Sequence, residues 1–290
     1  MNGTSEQNMQ QDNGTVKQES KTSTVACRTG EFTDVNHFIA QAAELLGDGH
    51  YMLLFGKRKD VDGDSLFFLK KNDDRFEEIR QRVSTGVYLM VDLKYFSGFN
   101  LRAKFKDLGF IHYAVAESMV YGKEDAASIG TIFTLISNEC VRAASDESYH
   151  ILYTYVDLLL SLTGRAYRTF FNGRNTAISD IDRRFTTLSK QSLEDRRDPG
   201  SELPSVDKFA RSLGVTKYYL SDISKALHGR TAQDRVEEEI VYQAKKMLGN
   251  TELSVAEIAQ AIGFSEPQML NRLFKKRTKE TPLEYRISLI

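Results

Sequence analysis

Apolar residues recur at i, i+3, i+4 and i+7 in two short stretches near the C-terminal end. The first holds Val206, Phe209, Ala210 and Leu213, the second Val255, Ile258, Ala259 and Ile262. That spacing predicts two helices with one apolar side, each packed on a core. Gly214 and Gly263 follow the last apolar position, where a left-handed C-cap suits glycine. A second helical stripe then resumes in each copy, with Leu220, Ile223 and Leu227 facing inward in one and Leu270, Leu273 and Phe274 in the other. Thr216 and Ser265 stand at the N-cap positions of these second helices. Ser265 with Gln268, and Ser254 with Glu257, have the spacing of capping boxes. Helix, glycine turn and helix, repeated about 49 residues apart, is the outline of a duplicated helix-turn-helix.

Between the copies, Thr231 to Leu248 predicts a connecting helix. Thr231 caps it, Asp234 stands at its third position, and Val236, Ile240, Ala244, Met247 and Leu248 are its apolar positions. Gly249 is expected to stop it. A last helix is expected from Thr281-Pro282-Leu283-Glu284, with a hydroxyl cap, proline in the first turn and glutamate three residues on.

The outer faces of the two second helices carry the candidate chemistry. In the first copy these positions are Lys217, Tyr218, Ser221, Asp222 and Lys225; in the second, Gln268, Asn271, Arg272, Lys275 and Lys276. Gln and Asn pair bidentately with adenine, and Arg with guanine. On a lone helix such residues describe an ordinary solvated face; their place on duplicated units favours the reading that they touch base edges. Net charge does not decide the matter, because 39 Lys and Arg balance 40 Asp and Glu to a formal −1. The positive charge is local: Arg272, Lys275, Lys276, Arg277, Lys279 and Arg286 stand against Glu280 and Glu284. Phosphate binding needs such a patch, not a basic chain.

Upstream the pattern changes. Residues 1–30 are rich in Gln, Asn, Ser, Thr and Gly and are read as a disordered tail. Residues 31–193 are read as one N-terminal region. It opens with an amphipathic helix from Phe32 to Leu46. Three strand-like runs follow, Tyr51–Phe55, Leu66–Leu69 and Val87–Val91, and Arg75 to Val83 reads as a helix or an irregular link. Two helices are expected from about Lys123, one striped by Ile129, Ile132, Phe133, Ile136 and Cys140. The other has a broad apolar face from Ile151 to Leu162, which meets either the rest of the chain or a second subunit. Thr163-Gly164 is expected to end or kink it. A further helix runs from Asn175 to about Gln191, and the charged stretch through Pro199-Gly200 marks a linker before residues 201–290.

The C-terminal third resembles the AraC family of transcription regulators. The residues that carry the resemblance run from Leu253 through Ala259, then Ile262-Gly263-Phe264, Phe274-Lys275-Lys276 and Thr281 to Arg286. The resemblance implies two helix-turn-helix units on a connecting helix, each placing a recognition helix in successive major-groove segments of double-stranded DNA. It implies that Tyr218 and Ser221 lie nearest the bases in unit one, and Gln268, Asn271 and Arg272 in unit two. Lys217, Lys275 and Lys276 complete the candidate DNA-binding set. One residue departs from the pattern: Asp222 stands where many members carry a basic or amide side chain. A carboxylate there is repelled by phosphates, though it can accept from cytosine. The implied fold is mostly α, with an all-α double helix-turn-helix domain and a small α+β N-terminal sensor domain, a reduced cupin-like fold joined to a helical pair. The implied function is a sequence-specific transcription regulator, read as an activator, working as a homodimer in the cytoplasm, with RNA polymerase as a further partner. No effector is assigned; His50, His112, Tyr88, Tyr95 and Arg102 are polar groups beside apolar runs and read as core or rim residues.

Two other classes were weighed. An enzyme carrying this module is disfavoured: the chain has no Gly-rich phosphate loop, no GxSxG and no HExxH. Fusion to a metal-held methyl-acceptor cysteine does not fit two isolated cysteines, Cys27 and Cys140. No cofactor and no metal site is expected. A module that binds protein rather than DNA remains the other alternative. No apolar run reaches the length of a bilayer span; Tyr155 to Leu162 is broken by Asp157, so no membrane partner is expected.

Overall fold

The computed structural model describes residues 26–142, 144–173, 176–194 and 203–289. Most of the expected tail, the linker after Glu194, and Arg174 and Asn175 lie outside these residues. The chain begins with β1 (Cys27–Phe32), α1 (Val35–Leu45), β2 (His50–Arg58), β3 (Asp64–Lys70), α2 (Phe76–Arg82) and β4 (Val83–Asp92). The strands form one antiparallel sheet in the order β1-β4-β2-β3. Leu53 stands opposite Leu89 on one side and Phe68 on the other. Leu53, Phe68, Leu89 and Val91 point into one core, while Met52, Leu54, Phe67 and Leu69 point into another beneath Phe38 and Ile39 of α1. Both faces are covered, which is why the strands read as unbroken apolar runs rather than alternating ones.

Residues 27–30, expected to belong to the tail, instead form most of β1. The strand is held by pairing with β4 along its whole length, from Cys27 opposite Val91 to Phe32 opposite Gly86. Only its two ends are buried, so its sequence carries little apolar signal. Cys27 therefore lies in the core and not in a polar segment. Its thiol is held well above the usual range by a hydrogen bond with Cys140 and by burial.

A run of 3₁₀ turns at Leu93–Phe99, Gly109–His112 and Val115–Glu117 surrounds α3 (Leu101–Asp107). The second turn is clamped to the sheet by Arg75. Its guanidinium donates to the carbonyls of Ile111 at 2.9 Å and Tyr113 at 2.8 Å, and to that of Phe68. Asp73, buried beside it, accepts from Nε at 2.8 Å and Nη2 at 2.7 Å.

α4 (Lys123–Cys140) packs against the sheet, and α5 (Asp146–Asn172) packs on α4. α5 does not stop at Thr163-Gly164. The Thr163 hydroxyl donates back to Leu159 O at 2.8 Å, and Ala166, Tyr167 and Phe171 continue the buried stripe for two more turns. That burial outweighs the ~1 kcal/mol that a glycine costs inside a helix. The broad apolar face of α5 is largely met within the chain, with Leu158 the large exposed exception.

The rest is helical: α6 (Thr176–Glu194), α7 (Val206–Leu213), α8 (Lys217–His228), α9 (Ala232–Asn250), α10 (Val255–Ile262), α11 (Pro267–Thr278) and α12 (Pro282–Ile287). α9 is the axis of their common core, touched by α6, α7, α8, α10, α11 and α12. It runs through Gly249 to Asn250, closing with Thr251 N on Met247 O at 3.1 Å. Gly214 and Gly263 cap α7 and α10 at φ 71° and 101°, a region that glycine enters without strain. Thr216, Ser254 and Thr281 cap their helices as expected. Ser265 does not; the N-cap of α11 is Glu266, with Pro267 next, and the Ser265–Gln268 box is not formed. Leu227 is exposed at 40%, because Ser224 turns inward instead and its hydroxyl accepts from Arg235 Nη1 at 2.9 Å.

Arg277 of α11 fastens unit two to α9. It reaches Asp234 at 2.5 Å and Glu237 at 2.6 Å. Asp234 is lowered to about 2, first by its hydrogen bond with Thr231 and then by Arg277. A folded-state pKa below the usual aspartate value means that this stabilisation is complete above about pH 4 and fades as pH falls toward 2. Arg277→Ala should raise the Asp234 pKa, read by carboxyl carbon NMR titration; an unmoved titration would leave Thr231 as the sole cause. Arg75→Met should cost about 3 kcal/mol in urea unfolding, since it strands the buried Asp73 carboxylate. A cost below about 1 kcal/mol, the scale of an exposed pair, would reject the clamp.

Candidate nucleic-acid interface

Unit two is built by two helices that bury one side each and leave the other open. Ile258, Ala259 and Ile262 of α10 meet Leu270 and Phe274 of α11 in the core. On the opposite side of α11, Gln268, Asn271, Arg272, Lys275 and Lys276 are all exposed, as expected. Met269 joins them at 45% exposure, an apolar contact that sequence reasoning passed over. The basic cluster divides by role. Arg277 is tied to Asp234 and Glu237, and Lys276 reaches Glu237 at 3.1 Å. Arg286 donates to the carbonyls of Leu248 at 3.2 Å and Leu253 at 2.6 Å, so it locks α12 under the rest of the unit. Arg272, Lys275 and Lys279 are in no ion pair among the described residues, Lys279 donating instead to the Lys276 carbonyl at 3.4 Å.

Unit one has the same frame and different surroundings. Leu220 faces the C-terminal core, yet Tyr219 and Ile223 are buried in the N-terminal core. Tyr219 stands edge-on to Tyr113 with ring centroids 5.1 Å apart, and meets Phe171 at 5.5 Å. Tyr218 stacks on His112 at 4.3 Å. Asp222 accepts from the Tyr113 hydroxyl at 2.7 Å, with Lys225 3.5 Å away on its other oxygen. Glu117 accepts from the Thr216 amide at 2.5 Å and from the Thr216 hydroxyl at 2.8 Å. Lys217 is exposed and pairs with Asp207 at 3.2 Å, and Ser221 is half-buried.

The electrostatics follow from this burial. Desolvation pushes the Tyr113 hydroxyl far above its usual range, and the neighbouring Asp222 charge adds to it, so Tyr113 is a fixed donor. Burial also raises the Glu117 carboxyl, against the lowering pull of Thr216. It lowers the His112 imidazole, with the Arg75 charge acting the same way. The candidate DNA-binding residues thus fall into two sets: an open face on α11, and a face on α8 that touches residues 112–117. Sequence reasoning missed Tyr113 and Glu117 altogether; the one signal was Asp222, a carboxylate at a position expected to be basic or amide. Among the described residues no group of acidic, His or Cys side chains could hold a metal ion, and no helix is long and apolar enough to cross a membrane.

Comparison with known proteins bears on the same segment. The model of a family described as a helix-turn-helix domain matches residues 209–288. An uncharacterized HTH-type transcriptional regulator from the cgkA 5′ region of Pseudoalteromonas carrageenovora is 35% identical over 28% of this chain and 48% of its own length. The protein described as probable transcription factor PqrA of Proteus vulgaris is 32% identical over 28% of this chain and 66% of its own. The matched segment thus spans about half to two thirds of these relatives. A solved AraC-type transcriptional regulator from Chromobacterium violaceum has a TM-score of 0.34 at 22% identity, over 40% of this chain and 96% of that one. With the glycine-capped pairs α7–α8 and α10–α11 seated on α9, residues 209–288 are an AraC/XylS-type helix-turn-helix domain.

Proposed function

We propose that this chain is a sequence-specific regulator of transcription that binds double-stranded DNA through residues 201–290 and acts as an activator. The observation that carries the reading is the face of α11. Gln268, Asn271, Arg272 and Lys275 share one exposed side of a helix whose other side is anchored by Leu270 and Phe274. Amide and guanidinium groups supply bidentate partners for adenine and guanine, and lysine supplies phosphate contact. Unit two is the reading unit as the chain stands; unit one would add a second groove segment about one helical turn away. Two copies of the chain would read adjacent half-sites, in the cytoplasm, where RNA polymerase is the partner that an activator serves. The reading gives the chain no catalytic step.

The experiment is selection of bound genomic fragments by the full chain, followed by sequencing and a salt titration on the fragment recovered. Arg272→Ala should weaken the selected site by about 1–3 kcal/mol and relax preference at one base position. Lys275→Ala should weaken all sequences alike and reduce the salt slope by about 1. A wild-type slope near zero would reject DNA binding and favour a protein-binding module.

A further inference from the structure

Three contacts on unit one come from a single six-residue segment. His112 covers the Tyr218 ring, Tyr113 holds Asp222, and Glu117 holds Thr216. We propose that residues 112–117 form an autoinhibitory latch on the first recognition helix, and that Asp222 serves this latch instead of reading bases. The inference rests on the DNA-binding reading and adds how that activity is restrained.

The chemistry of each contact opposes DNA. Glu117 places a carboxylate on the backbone amide and hydroxyl that open α8. A helix N-terminus offers its amides to anions, and a DNA phosphate would seek the same group. Two anions cannot share it, so Glu117 and phosphate exclude each other. Glu117 is itself fixed, because its third bond, accepted from the Ala114 amide at 2.8 Å, closes its own turn. Tyr113 is 2% exposed, wedged between Tyr167, Phe171 and Tyr219, so its hydroxyl is aimed at Asp222 by packing. The approach is close: a Cβ on Gly109 would stand 2.1 Å from the Asp222 carboxylate. Released toward DNA, Asp222 would face phosphates; in place, it accepts from the Tyr113 hydroxyl at 2.7 Å. The latch and the duplex therefore compete for one face of α8, and apparent DNA affinity is reduced to the fraction of chains in which the latch is open.

The test uses the full chain, with Tyr113→Phe and Glu117→Gln as variants and thermal unfolding as the check on folding. Hydrogen exchange at residues 215–220 should quicken about tenfold in each variant, while exchange in α11 stays unchanged. Affinity for a mixed-sequence duplex of about three helical turns should rise by a similar factor, with a steeper salt slope as more phosphates are engaged. If Tyr113→Phe does not fold, Asp222→Ala removes the acceptor of the same contact from the other side and is read by exchange. Unchanged exchange in folded variants overturns the latch. Faster exchange with unchanged duplex affinity also overturns it, since the contact would then be structural only. Failure of wild type and every variant to bind any duplex overturns the DNA-binding reading itself, and the latch with it.

Discussion

The twelve-residue helix α8 packs into two cores at once, and the arrangement of the molecule depends on that. Leu220 is packed among the C-terminal helices, while Tyr219 and Ile223, one residue earlier and three later, are packed against α5 and the 3₁₀ turns of the N-terminal part. A helix has only so much surface, so the side given to the N-terminal core is lost to solvent. Withdrawing Tyr219 and Ile223 exposes about 3–6 kcal/mol of apolar burial. That is close to the ~5.5 kcal/mol that carries a two-state equilibrium from one side to the other. The contact is strong enough to define the resting state and weak enough for a binding event to reverse.

The two units share a frame and differ in what restrains them. Unit two is held to α9 by the Arg277 pairs with Asp234 and Glu237, on the side away from Gln268, Asn271 and Arg272. Arg277 and Lys276 are spent on the scaffold, and Gln268, Asn271, Arg272 and Lys275 stay exposed. Unit one is held through its outward positions, Tyr218 and Asp222. The same duplicated pattern therefore yields one open and one engaged outer helix, and the difference comes from the neighbours, not from the helices.

Much of this was legible in the sequence. The stripes at Val206 to Leu213 and Val255 to Ile262, with Gly214 and Gly263 behind them, specify local structure by short-range rules, and the helices form where those rules put them. The exposed face of α11 was readable for the same reason, since an amphipathic helix shows its outer face directly. What failed depended on distant partners. β1 is a strand because β4 lies beside it, α5 passes Gly164 because Tyr167 and Phe171 have a core to enter, and Ser224 turns inward because Arg235 waits there. Tyr113 and Glu117 lie about 100 residues from the helix they touch, and no periodicity in a single chain links them.

Asp222 is where the sequence conflict and the fold meet. A carboxylate on a recognition helix is a local error if the helix is only a DNA probe, since it repels the phosphates that the neighbouring lysines attract. It ceases to be an error if the helix has a second partner. The Tyr113 hydroxyl, fixed by burial, gives Asp222 a donor that water-exposed DNA backbone cannot. In the proposed latch the charge works in both states with one sign: it strengthens the closed contact and weakens the open complex. In the proposed latch a basic residue at 222 would reverse both effects, so the carboxylate at this position favours holding the first unit back.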